Sequence, residues 1–220
     1  MNGSQLYEFV TNLLGGIVME EDLFVTLVNL AKSKRESMRD WACLKKKSTS
    51  IQWLAGDSAD VSKTTPTDML RPIRGTDKVA PIALLGSDGR KKSGAIEIPF
   101  ERQYDYAGIP GYFFIDYGAA LRPLYFTAPA PETMTAALFY LAKSDDIEVA
   151  DLSGDTWTWG MFASRFAPIL GYDVAIMHKG DIDFDDINAR MVQFSGRTLA
   201  DLEFAMIMED ERIKLSSLGV

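Results

Sequence analysis

Apolar residues at helical spacing mark both ends of the chain, and short apolar runs broken by turns mark its middle. Leu6, Phe9, Val10, Leu13 and Leu14 follow i, i+3, i+4, i+7, i+8, which predicts a helix over 4–14 closed by Gly15 and Gly16. A second helix is expected over 20–46. Its acidic start (Glu20, Glu21, Asp22) and its lysine-rich end suit the two poles of the helix dipole. Its expected apolar stripe runs through Leu23, Leu27, Leu30, Ala31, Met38 and Trp41, with Lys32, Arg35 and Arg39 as a separate basic line.

From Ser48 to about Ala150 eight of the nine prolines interrupt the chain. Residues 51–54, 82–85, 95–100, 112–115, 124–126 and 133–141 are expected as strands, with Gly86-Ser87-Asp88-Gly89 and Asp116-Tyr117-Gly118 as turns. Helical texture returns after Asp151. Phe166, Ile169 and Leu170 flank Pro168, where a kink or a fresh helix start is expected. Ile187, Met191, Phe194, Leu202 and Met206 then mark one face of a final helix ending near Leu215. The expected fold class is therefore α+β. Residues 1–47 and 151–220 would form a helical bundle from both ends of the chain. Residues 48–150 would be a β-rich insertion between the second and third helices, built as a small antiparallel sheet.

At 220 residues, with 47% hydrophobic and 25% charged content, the chain can bury a sizeable core without staples. No run approaches the length of a transmembrane helix, and the opening residues do not have the make-up of a signal peptide. Charge is unevenly placed. Residues 32–47 hold seven bases against Glu36 and Asp40, whereas residues 145–220 hold fifteen acids against six bases. That asymmetry favours charge-steered contacts with partners over dedicated nucleic-acid binding.

Candidate chemistry is sparse. One histidine, His178, and one cysteine, Cys43, exclude a two-histidine zinc site and an internal disulfide. The stretch Gly86 to Gly94 fails the phosphate-loop spacing because Lys91 stands where glycine is needed, so it reads as a basic hairpin tip. Asp181 to Asp186 resembles the start of a calcium loop, but the sixth position is Asp186 and the twelfth is Val192; helix capping is the simpler account. The basic groups Lys32, Arg35, Arg39 and Arg90, Lys91, Lys92 could meet phosphates or an acidic neighbour, and neither has interleaved aromatics. Trp157 and Trp159 read as core or interface anchors. No cofactor and no metal is expected.

The order of these segments carries a resemblance. The features are the opening Leu6-Tyr7-Glu8-Phe9-Val10, a long helix closing on Arg39-Asp40-Trp41-Ala42, the run Glu97-Ile98-Pro99-Phe100, the strands around Tyr112 and Leu124, Trp157 to Leu170, and a closing helix with Ile187-Asn188-Ala189-Arg190-Met191. Together they resemble the head-to-tail adaptor (connector or neck) proteins of tailed bacteriophages, including the tubular adaptors of short-tailed phages. The resemblance implies a non-enzymatic homo-oligomeric ring, commonly of twelve subunits, located in the virion neck and in the host cytoplasm during assembly. The ring would dock under the portal protein, extend the DNA channel and carry a tail or nozzle component. DNA would pass without specific binding, which an acidic lumen favours by avoiding counterion-releasing contacts. The resemblance implies no membrane partner. Interface candidates are the two basic groups above and the C-terminal segment, with Arg212 and Lys214 as charge contacts and Leu215, Leu218 and Val220 as apolar anchors. Two other classes stay open: a phage-encoded DNA-contacting accessory protein using residues 32–47 and 90–92, and a small enzyme with an unrecognised site.

Overall fold

The computed structural model describes residues 1–73, 80–154, 157–160, 162, 164–179 and 184–217. It divides into two compact units, one of residues 1–44 with 144–220 and one of residues 45–143.

The first unit is helical. Helix α1 (Gly3–Leu13) opens with a reciprocal cap: the Asn2 side chain accepts from the Gln5 amide at 2.9 Å, and the Gln5 side chain accepts from the Asn2 amide at 3.0 Å. Helix α2 (Glu21–Ser37) ends well before the expected Lys46. Its chain then turns through a short 3-10 segment, Ala42–Leu44, into a strand that begins at Lys45. Helix α3 (Ala167–Lys179) carries Pro168 in its first turn, where a missing amide hydrogen costs no bond. Every residue from Ala167 to Ala175 is buried.

Helix α1 lies close against α3. A Cβ added at Gly171 would stand 2.6 Å from the Phe9 ring, so only glycine admits that approach. Helices α4 (Phe184–Ser195) and α5 (Leu199–Ser217) replace the single closing helix expected from Ile187 to Leu215. Gly196, at φ +70°, ends the first, and a Thr198–Asp201 cap starts the second. The break re-registers the apolar face: Leu202 and Met206 are buried, but Phe194 is 47% exposed.

The second unit is a seven-stranded mixed sheet: β1 (Lys45–Trp53), β2 (Met69–Pro72), β3 (Ile82–Leu85), β4 (Lys91–Glu97), β5 (Tyr112–Ile115), β6 (Leu124–Phe126) and β7 (Met134–Ala142). The strand order is β1-β7-β3-β4-β5-β6. β7 pairs with β1 along one edge and shares its other edge between β3 and β2. The sheet curls. Trp53 of β1 stacks on Phe126 of β6 at 4.3 Å although the two strands end opposite sides of the order, and Lys63 bridges to Leu124. Alternate residues of β7, Ala136, Leu138, Tyr140 and Ala142, point into the enclosed core with Trp53, Ile82 and Phe113.

The expected fold is corrected by these findings. The helices do not form a bundle carrying a β-rich insertion between the second and third helices. The chain is α+β, with a curled, mixed sheet around its own core. Its helices are gathered on one enclosed helix, α3, which is buried on every side over Ala167 to Ala175, with Asp173 as the one charged residue there, and has no solvent face for a bundle position. The sheet is not purely antiparallel either, since β4 and β5 run parallel, joined through the 3-10 segment Phe100–Tyr106.

Candidate functional site

The basic line of α2 is engaged inside the first unit. The buried face of α2 is Phe24, Val28 and Ala31 together with Lys32, Arg35 and Glu36, while Leu23, Leu30 and Met38 of the expected stripe are exposed. Lys32 is 1% exposed, and its ammonium donates to the Ser144 and Asp145 carbonyls at 2.6 and 2.9 Å and meets the Asp146 carboxylate at 2.7 Å. Asn29 on the same helix exchanges two 3.0 Å bonds with the Ile147 backbone. Glu36 accepts from the Ser144 amide at 3.2 Å, from its hydroxyl, and from the Trp159 indole at 3.2 Å. One face of α2 thus holds the returning segment 144–147 in place.

Arg35 reaches a different set of partners. Its guanidinium donates to Asp173 through two nitrogens at 2.6 and 2.7 Å and also to Glu203. The bonds to Asp173 hold it protonated well above the usual arginine range, against the opposing effect of burial. Arg39 pairs with Asp210 at 3.1 Å and with Glu211. Asp210 in turn accepts from the Ala42 amide and pairs with Lys214 at 2.7 Å. Lys32, Arg35 and Arg39 are therefore anchors for α3, α5 and the 144–147 segment. Cys43 lies half-buried near this cluster; burial, and then the Asp210 carboxylate, push its thiol up to about 11.

Arg90 sits in the turn between β3 and β4 and Lys91 and Lys92 open β4, all exposed. The turn is closed by the Gly86 amide donating to the Arg90 carbonyl at 3.0 Å, with Gly89 at φ +72°. Arg212 is exposed on α5. The side chain of Leu215 and the whole of Leu218 and Val220 lie outside the described residues. So do residues 181–183 of the candidate cation loop; of its remaining acids, Asp185 is exposed and Asp186 pairs with Arg190 at 2.9 Å. Among the described residues no group of three or more histidines, cysteines or acids is arranged to hold a metal ion.

A concavity opens at the far end of β4. An open cleft of about 650 Å³ is lined by Glu97, Ile98, Pro99, Phe100, Glu101 and by Ile115 to Gly118. Parallel pairing creates it. The Ile98 amide donates to the Phe113 carbonyl at 2.9 Å, which sets the end of β4 beside the end of β5. Pro99 then starts the 3-10 segment on one side, and Asp116 turns the chain on the other by accepting from the Gly118 and Ala119 amides at 2.9 and 3.2 Å. The Tyr117 hydroxyl donates to Glu97 at 2.9 Å and forms a partition. Behind it a second cleft of about 420 Å³ is lined by Arg71, Pro72, Ile73, Pro81 and Ile96.

Three acids, Glu97, Glu101 and Asp116, line the first cleft and no base does. Burial pushes the Glu97 carboxyl up from its ordinary value, partly offset by the Tyr117 hydrogen bond and the Arg71 charge. Phe100 and Tyr117 leave nearly half of their surface open beside these acids. Acids flanked by aromatic faces suit an ammonium or guanidinium group. Sequence reading placed Asp116-Tyr117 in a turn and Glu97 to Phe100 in a strand but did not bring them together. No local pattern marks a parallel pairing between segments fifteen residues apart. No protein-family model matches the chain, and no curated protein matches it.

Proposed function

We propose that the protein is a structural subunit of a homo-oligomeric ring, a head-to-tail adaptor of a tailed bacteriophage. It would seat under the portal protein, extend the DNA channel and receive the tail or nozzle component, without catalytic turnover. The order of elements and the residue runs that resemble such adaptors support this reading.

One observation carries it furthest. Helix α5 has two apolar faces: Leu202 and Met206 turn into the unit, whereas Phe204, Ile207 and Met208 turn outward at 66%, 40% and 53% exposure. Residues at i, i+3 and i+4 make one contiguous strip, and an outward apolar strip suits a protein contact. The acids Asp210 and Glu211 on the same helix are tied to Arg39 and Lys214, so the strip is presented by a braced helix. A DNA-contacting accessory role has less support, because Lys32, Arg35 and Arg39 are engaged by acids and carbonyls of the chain itself.

Mass determination of the purified full-length protein, alone and mixed with a portal ring, tests the proposal. A closed oligomer, or stoichiometric loading onto the portal, is expected. A protein that stays monomeric and ignores the portal overturns it.

A further inference from the structure

We infer that neighbouring subunits join through the two ends of strand β4, the basic β3–β4 tip of one copy entering the acidic Glu97–Glu101–Asp116 cleft of the next. The inference rests on the ring reading above and names the contact that would build the ring.

The two surfaces are complementary and cannot satisfy each other within one molecule. Arg90, Lys91 and Lys92 are exposed at the tip, and none of them makes an ion pair among the described residues. The only acid on the tip, Asp88, has one carboxylate oxygen accepting from the Arg90 amide at 3.0 Å. At the other end of the strand, three acids line the cleft without a base. From Lys91 to Glu97 is six residue steps, or about 20 Å of extended chain. β4 is paired along that span, with β3 from Lys91 to Ala95 and with β5 at Ile96 and Glu97, inside one compact unit, so the tip cannot bend back to its own cleft.

A donor surface and an acceptor surface at opposite ends of a rigid strand make a head-to-tail contact. Repetition of such a contact closes into a ring when the rotation allows. The chemistry of the cleft fits a long cationic side chain. The half-open faces of Phe100 and Tyr117 offer cation–π contact to an arginine, and an arriving positive charge relieves the burial of the Glu97 carboxylate.

The test uses two charge-reversed forms of the full-length protein. The tip form carries Arg90→Glu, Lys91→Glu and Lys92→Glu; the cleft form carries Glu97→Lys and Glu101→Lys. Each alone should self-associate, free or on the portal, at least about thirtyfold more weakly than wild type. An equimolar mixture should regain the wild-type assembly mass, because each form then meets its opposite. Circular dichroism and thermal melting check folding. If the cleft form fails to fold, Glu101→Lys alone, on an exposed residue, replaces it. Wild-type rings that persist in both variants overturn this contact and leave the ring reading standing. A wild-type protein that never oligomerises and never loads on the portal overturns both.

Discussion

Asp173→Ala isolates the contribution of the buried ion pair that ties α2 to α3. The two side chains are 11% and 9% exposed, and two hydrogen bonds join them in the fork geometry that arginine and carboxylate share. Removing the carboxylate leaves a desolvated guanidinium with Glu203 as its remaining acidic partner. Glu203 is 38% exposed, so its attraction is screened and offsets at most about 1 kcal/mol. Breaking one side of a buried pair costs about 3–5 kcal/mol, which places Asp173→Ala near the lower end of that range.

The assay is urea unfolding followed by tryptophan fluorescence; the Trp41 indole donates to the Arg35 carbonyl at 2.9 Å and reports on this region. With a slope of about 2–3 kcal/mol per molar, the midpoint should fall by about 1–1.5 M. Replacing both partners, as Arg35→Met with Asp173→Leu, should recover most of the loss, because no charge is then left buried alone. An Asp173→Ala midpoint equal to wild type, or a double variant no more stable than the single one, would refute a stabilising role for this pair.

Three further outcomes are expected. Phe166→Ala, at a side chain 2% exposed, should destabilise by about 3–5 kcal/mol in the same assay, whereas Phe194→Ala on the exposed face of α4 should change stability by less than about 0.5 kcal/mol. Gly171→Ala should cost about 1–3 kcal/mol through its clash with Phe9, and adding Phe9→Leu should recover part of it if the close approach of α1 and α3 is the cause. Asp68 is subject to burial, which raises its pKa, but the Lys46 and Tyr140 partners outweigh that and hold it below the usual carboxylate range. Its stabilisation is therefore present above the unfolded value of about 3.9 and lost as pH falls through the lower folded value, so melting temperature should drop less steeply in that acid window for Asp68→Asn than for wild type.

Much of the local structure was legible from spacing alone. The face of α1, the tip at Gly86 to Gly89 and the strands around Ile82, Tyr112 and Leu124 follow from period and turn residues within a few positions. The break at Gly196 with the Thr198–Asp201 cap was also written locally, although the apolar period running across it suggested one helix. The candidate cleft was not legible. Glu97, Asp116 and Tyr117 converge only because β4 and β5 pair in parallel, and a parallel pairing leaves no mark in either segment taken alone.

The sequence by itself determined most of the helix and strand segments, though not the bounds of α2 and β1, and which segments carry charge, because those follow from short-range sterics and the period of apolar side chains. Tertiary structure alone decided which face of α2 is buried. Lys32, Arg35 and Glu36 lie inside because Asp146, Asp173 and Ser144 arrive from more than a hundred residues away to satisfy them, and Leu23 and Leu30 lie outside as a consequence. A charged side chain can be buried when its partners are fixed around it, and those partners are supplied by the fold rather than by neighbours along the chain.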